Sequence, residues 1–298
     1  MKKIRLLIYS ASLLTLFYLL AVFCEKKTDG FTILGIASDR SYDPRWNVHS
    51  LSSSEKEIVE KALSQPYTYF SRGGQSFVFL SKDEQYVIKF FKQRAFTVPK
   101  WFNLVPIPFI LDRYKQKKRF VRADKLRRDF TSYKIAFDEL KKETGIVYVH
   151  LNKTSHLNKS LKIIDKIGIE HFLDLDHFDF VVQRKAELVY DRISRQMRQG
   201  DISGAKKTIA SAFNLILSRC KKGYHDRDPN LRTNCGFIGD QPIKIDVGRL
   251  LKDEKMKKPE VYKQELLRIS LPFKAWIEAY YPTLSPFLNQ EIEKITSA

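Results

Sequence analysis

From residue 67 to residue 188 the sequence returns repeatedly to short runs of β-branched and aromatic residues, and from residue 189 onward it turns helical instead. A doubly wound sheet needs strands and helices to alternate. Strands first and helices afterwards predict an α+β chain with a sheet-rich lobe over about 66–188 and a helical lobe over about 189–298. A cleft between two such lobes is a natural ligand site.

Within the first lobe, "YTYFSRGGQSFVFLSKDEQYVIKFFK" holds two β-rich runs, Phe77–Leu80 and Tyr86–Phe91, and the polar "SKDEQ" between them suits a hairpin. A helix is expected over about 123–143, because Leu126, Phe130, Tyr133, Phe137 and Leu140 recur at spacings of four and three and Gly145 follows. "IVYVHL", "LKIIDKIGI" and "DFVVQRKAEL" read as three further strands. In the second lobe a helix is expected between an N-cap at Asp201 or Ser203 and a stop at Gly223, followed by two or three helices broken by Pro272, Pro282 and Pro286. Residues 29–65 read as a connector with a short helix from about Ser54 to Leu63.

The N-terminus contains a second constraint. Leu6–Cys24 is a 19-residue stretch without a charge, close to the roughly 20 residues that cross a bilayer as a helix. Lys2, Lys3 and Arg5 would also suit a signal peptide, but the apolar run exceeds the usual h-region and has no A-x-A-like exit. Phe23 disfavours a lipoprotein site at Cys24. Residues 1–28 are therefore read as an uncleaved single-pass membrane anchor. The three cysteines, Cys24, Cys220 and Cys235, suggest neither a disulfide framework nor a zinc site.

With 53 Lys and Arg against 34 Asp and Glu, the formal charge is +19, which favours anionic partners: phosphorylated ligands, anionic lipid or nucleic acid. Twelve basic and two acidic residues fall between 92 and 128, around the insert "AFTVPKWFNLVPIPFIL". Interfacial aromatics beside a polybasic run fit a contact with membrane lipid. The preferred reading is plainer: Trp101, Phe102 and Phe109 pack on the first lobe and the charges are solvated. Nucleic acid ranks last, since no recognised binding module accompanies the basic residues.

Four separate features bear on chemistry. Gly73 and Gly74, with Ser76 and Val78 after them, form a turn that could lie over phosphates, although a Gly-Gly pair before a strand is more often an ordinary turn. Lys89 sits among alternating apolar residues in "YVIKFFK" and needs an exposed edge or a negative partner. "HDRDPNLRTN" gathers carboxylates and carboxamides in one loop. Asp246 in "IKIDVGRL" leaves a strand end for a turn, where a carboxylate can hold Mg²⁺.

In this order the features resemble the protein-kinase-like fold, whose pattern is a glycine-containing hairpin, a strand lysine, H-R-D-x-x-x-x-N and D-F-G. The similar region covers about residues 66–251. The resemblance implies that Lys89 pairs with the α and β phosphates of ATP, that Asp228 accepts the proton of the acceptor hydroxyl, and that Asn234 and Asp246 hold Mg²⁺. It also implies a helix carboxylate beside Lys89, for which Asp129 is the candidate and Glu139 the runner-up, and a hinge near Gln183–Glu187. Asn234 follows Asp228 by six residues where the pattern has five, and Asp226 with Asn230 is a second register. Ser71 and Ser76 stand where the pattern has glycines, and no A-P-E follows Asp246. The implied protein is an atypical, membrane-anchored bacterial kinase acting on a carbohydrate or lipid-linked hydroxyl, its domain in the cytosol, or a pseudokinase that keeps the fold without turnover.

Overall fold

The computed structural model describes residues 2–98 and 112–297; Trp101, Phe102 and Phe109 lie outside the described residues. It has the two-lobed α+β architecture expected from the strand-then-helix order. The first lobe is a seven-stranded sheet made of β1 (Tyr67–Arg72), β2 (Ser76–Ser81), β3 (Tyr86–Phe91), β4 (Ile146–His150), β5 (Ser160–Ile164), β6 (Glu170–Asp174) and β7 (Phe180–Arg184). Their order across the sheet is β4-β7-β3-β2-β1-β5-β6. All neighbours are antiparallel except β1 and β5.

Alternation along the strands gives the sheet two apolar faces. Phe77, Phe79, Ile88, Phe90, Phe180 and Val182 point to the outer face and form one core. Phe91, Val149 and Val181 point inward, against the long helix that follows β3.

Counting helices longer than two turns, the chain has α1 (Lys2–Thr28), α2 (Ser53–Leu63), α3 (Asp112–Asp138), α4 (Val189–Arg198), α5 (Ile202–Lys221), α6 (Pro259–Tyr280) and α7 (Ser285–Ser297). In α1, Ile4–Thr28 is long and apolar enough to cross a membrane, and none of it is buried against the rest of the protein. Helix α2 starts with a complete capping box between Ser52 and Glu55. Helices α4 to α7 bury Ile193, Ile209, Phe213, Leu266, Phe273 and Leu288 in the core of the second lobe.

Several expectations need correction. "LKIIDKIGI" is not one strand: Asp165 accepts from the amides of Ile167 (3.0 Å) and Ile169 (2.9 Å), which turns the chain at Gly168 and makes a β5–β6 hairpin. The apolar run hid this turn. Pro272 lies inside an unbroken α6. The helix expected at 123–143 starts earlier, at Asp112, and ends at Asp138; Gly145, with φ +62°, closes a separate single turn after it.

Residues 29–65, read as a connector, are built into the first lobe. Phe31 packs edge-on against Phe77 and Phe79 at 5.2 and 5.3 Å, and Ile36, Val59, Ala62 and Leu63 join the same core. Immediately after α1, Asp29 accepts from the Tyr69 hydroxyl (2.8 Å) and pairs with Lys166 (2.9 Å). The apolar helix thus meets the sheet through a docked segment. Phe31→Ala should therefore destabilise the first lobe by about 3–5 kcal/mol, read as a lowered melting temperature of the full chain in non-ionic detergent; a free linker would show no change.

Candidate active site

The second lobe offers the first one two short β-ribbons. One joins β8 (Glu187–Leu188), β10 (Cys235–Ile238) and β11 (Gln241–Lys244), and the other pairs β9 (Tyr224–Asp226) with β12 (Leu250–Lys252). "HDRDPNLRTN" runs from β9 to β10 and "IDVG" runs from β11 to β12, so both loops emerge at the same edge.

Lys89 lies mid-strand on the inner face, with Val78 on one side and Val181 on the other in register. Its side chain is buried, and the ammonium donates to the Ile245 carbonyl at 2.9 Å. Burial pulls its pKa down to about 8, opposed by the Asp246 carboxylate and assisted by Lys244. Lys89 and Asp246, 157 residues apart in the chain, are thus electrostatic neighbours.

Asp246 is exposed, and its Oδ1 accepts from the Gly248 amide at 3.1 Å. A Cβ on Gly248 would lie 2.8 Å from Oε1 of Gln75, so the tip of the Gly73-Gly74 loop reaches the Asp-x-Gly turn. That loop is closed by Gly73 N–H to the Ser76 carbonyl (2.9 Å) and held by the Lys92 ammonium on the Gly73 carbonyl (2.5 Å). Gly74 faces open space. Ser76 is buried and Val78 half-buried.

In the second loop, Asp228 is exposed while its backbone is fixed. Its carbonyl accepts from Asn234 Nδ2 (3.0 Å) and from the Lys244 ammonium (2.9 Å), and its N–H donates to Asp226 Oδ1 (2.9 Å). Asn234 is carried to Asp246 by the backbone, because its carbonyl accepts from Ile245 N–H at 2.7 Å. The rival register is committed elsewhere. Asp226 is 1% exposed and paired with Arg219 (3.1 Å) and Lys244 (2.5 Å), and Asn230 caps the turn through Arg232 N–H (2.8 Å). The extra residue between Asp228 and Asn234 is absorbed by the single helical turn at Leu231–Asn234.

One expected pair does not form. Asp129 is buried, but it pairs with Lys125 one turn back at 2.7 Å rather than with Lys89, and burial pushes its carboxyl above the usual range. Glu139 is also engaged, by Lys252 at 2.9 Å and the Tyr224 hydroxyl. The physical reason is packing: α3 turns Phe130 and Tyr133 toward β3, where they meet Phe91 at 5.4 and 4.9 Å. Aromatic rings fill the space that a carboxylate would need.

Two positions, Ser132 and Gly236, escaped the sequence, and Gln183, expected only as part of a hinge, has a further role. The Ser132 hydroxyl on α3 donates to the Val247 carbonyl and accepts from Leu250 N–H (2.7 Å), clamping the segment after Asp246. Gln183 at the end of β7 donates to the Thr144 carbonyl at 2.6 Å and the Lys244 carbonyl at 3.3 Å, tying both lobes. Gly236 admits the Glu187 carbonyl, which would lie 2.6 Å from a Cβ there, so the segment expected as a hinge rests directly on β10. A buried serine between aromatic positions carries no distinguishing pattern.

Among the described residues no three His, Cys, Asp or Glu side chains form a metal cluster. A Mg²⁺ ion bound here would rest on Asp246 and Asn234, with ligand phosphates and water completing the shell, which suits an ion that keeps several waters.

No family model matches the chain, and no curated protein does. Among solved structures it is similar to the bifunctional kinase-methyltransferase WbdD, at 12% identity and a TM-score of 0.36, covering 75% of this chain and 43% of that one. It is also similar to Rv3197 from Mycobacterium tuberculosis, in a complex with erythromycin, at 11% and 0.35, covering 80% and 60%. The third is APH(2")-IIa in a ternary complex with streptomycin and ATP, at 13% and 0.31, covering 84% and 99%. The chain therefore spans less than half of WbdD. The two-lobed α+β architecture is read from this chain's own sheet, in the order β4-β7-β3-β2-β1-β5-β6, and from the loops gathered at its edge.

Burial of Lys89 makes a prediction about stability. Its pKa is lower in the folded state (about 8) than in the unfolded chain (ordinary lysine, 10.5), so the unfolded state binds more protons between these values. The penalty is complete below about pH 8 and fades as pH rises toward 10.5. Lys89→Met, which also loses the bond to Ile245, should raise stability by about 1–2 kcal/mol at pH 7, and the gain should shrink through that window. Chemical denaturation of the full chain at several pH values measures it; a pH-independent difference would contradict the buried-ammonium account.

Proposed function

We propose that the chain is an ATP-dependent phosphotransferase that acts at a membrane on a hydroxyl of a carbohydrate or lipid-linked acceptor. The observation that carries this reading is the convergence of Lys89, Asp246, Asn234 and Asp228 at one edge between the lobes. Phosphoryl transfer asks a protein for positioning and charge stabilisation more than for covalent chemistry, and these four side chains supply both.

In this reading the Lys89 ammonium, released from the Ile245 carbonyl, pairs with the nucleotide's phosphates. Asp246 and Asn234 hold Mg²⁺, which neutralises charge on the phosphate oxygens. The Gly73-Gly74 turn and Val78 cover the nucleotide from the first lobe. Asp228, exposed on a backbone held from three sides, takes the proton from the acceptor hydroxyl as its oxygen attacks phosphorus. The anchor α1 would restrict the acceptor to a membrane surface, and the need for ATP puts the domain in the cytosol.

A second reading, a pseudokinase that binds nucleotide as a membrane-bound scaffold, is favoured by one observation. No α3 carboxylate touches Lys89, since Asp129 is taken by Lys125.

Mg²⁺-dependent ATP binding by the full chain in non-ionic detergent tests the site, and ATP consumption with acceptor-rich membrane extract separates the two readings. Asp246→Ala should weaken binding about tenfold or more. Asp228→Asn should leave binding intact and cut turnover by about 10²–10⁴, whereas Asp226→Asn should lower the melting temperature through its buried ion pairs. Binding without turnover in the unaltered chain supports the scaffold, and absence of Mg²⁺-dependent binding removes both readings.

A further inference from the structure

Beside the proposed site, at Gly248, lies a cavity of about 240 Å³ whose polar lining is four arginines together with Asp129 and Thr131. Arg127 and Arg128 come from α3, Arg227 from the loop just before Asp228, and Arg249 from the residue after Gly248; the exposed Thr131 adds a neutral hydroxyl. Arg227 and Arg249 are brought together by backbone, since Arg227 N–H donates to the Arg249 carbonyl at 3.2 Å.

The acidic groups nearby are largely spent. Lys125 holds Asp129 at 2.7 Å, and Asp124 is shared by Arg127 (2.7 Å) and Arg128 (3.3 Å). The side chains of Arg227 and Arg249 make no hydrogen bond or close ion pair among the described residues, and they attract Asp124 and Asp129 at longer range. Four arginines and Lys125 against Asp124 and Asp129 leave three uncompensated positive charges around one concave surface. Such a cluster repels itself unless an anion occupies it, and the guanidinium fork matches the oxygens of a phosphate in pairs.

The size and the sequence narrow the occupant. At about 240 Å³ the cavity is smaller than the roughly 300–1,000 Å³ of a site that encloses a whole small molecule, so it suits one charged group of a larger ligand. That group does not come from the chain segment that follows the cavity: Arg249–Val261 contains no Ser, Thr or Tyr to carry a phosphate.

We propose that this arginine cavity is an anion subsite for a phosphate ester on the acceptor, so that the protein acts on a hydroxyl of a molecule that is already phosphorylated. The proposal rests on the phosphotransferase reading above, and it gives Arg227 and Arg249 the task of seating the acceptor next to Asp228. The phosphate ester belongs either to a soluble sugar phosphate or to a lipid headgroup, and the chemistry at the arginines is the same.

The test uses the full chain in phosphatidylcholine nanodiscs, with glycerol 3-phosphate as the soluble probe and discs containing phosphatidylglycerol as the lipid one. Thermal stabilisation by either probe should appear in the unaltered protein. In the double variant Arg227→Gln/Arg249→Gln it should need at least about tenfold more of the soluble probe, or vanish in the anionic discs. The double Arg→Lys variant, which keeps charge but loses the fork, should fall between, and the surface variant Arg45→Gln should bind as the unaltered chain does. Response to the soluble probe identifies a soluble source, and response confined to anionic discs identifies a lipid source; both support the subsite. Equal responses in the unaltered and Gln-substituted chains, or no response to either probe, overturn it. Mg²⁺-dependent ATP binding, measured in the same samples, keeps the two ideas separate. Arginine-dependent phosphate binding without nucleotide binding retains the subsite and overturns its role for an acceptor.

Discussion

A buried group of opposite charges at the root of two loops holds the rest of the site in place. Asp226, almost fully enclosed, is paired with Arg219 of α5 and with Lys244 of β11, and Arg219 also meets Glu265 of α6 at 3.2 Å. Burying ions is costly, and such a group is tolerated where each charge is paired. Here the pairing has a geometric result: Lys244 also donates to the Asp228 carbonyl, so the loop before Asn234 and the strand before Asp246 cannot shift independently. Two exposed carboxylates, Asp228 and Asp246, are thereby presented by a rigid base.

The first lobe presents Lys89 by a different route. Its strand lies between two apolar layers, and the ammonium is enclosed where the Ile245 carbonyl and the Asp246 charge compensate for lost water. A lysine kept in that state costs stability without a ligand, and an anionic ligand would relieve the cost. The aromatic packing of Phe91, Phe130 and Tyr133 explains why α3 contributes rings and a serine clamp here instead of a carboxylate. The same helix carries its arginines on another side, so α3 supports the Asp246 loop through Ser132 and lines the basic cavity through Arg127 and Arg128.

The legible parts of the sequence were those governed by local rules. The polar start of the helix expected from about Ser54, the polar "SKDEQ" turn, the cap at Asp201 or Ser203 and the stop at Gly223 each depend on neighbours within a few residues, and each is found, with Asp201 as the cap. Where local rules met tertiary packing they failed. Apolar "LKIIDKIGI" concealed the Asp165 turn, Pro272 was accommodated within α6, and the polar-looking stretch 29–65 docked through a few apolar residues such as Phe31 and Ile36. Asp129 illustrates the limit at the site: its position along α3 is visible in the sequence, but its choice of Lys125 depends on how the helix is rotated against the sheet.

By itself the sequence determined the α+β order, the apolar N-terminal helix, the excess of positive charge and the identity of the polar residues in the two loops, because composition and short-range periodicity encode these directly. Tertiary structure alone decided that Asp228 is exposed while Asp226 is consumed in a buried ion group, that Ser132 clamps the Asp246 turn, and that four arginines from three segments line one cavity. Those outcomes depend on contacts between residues far apart in the chain, whose distances are set by how whole elements pack and not by any pattern within them.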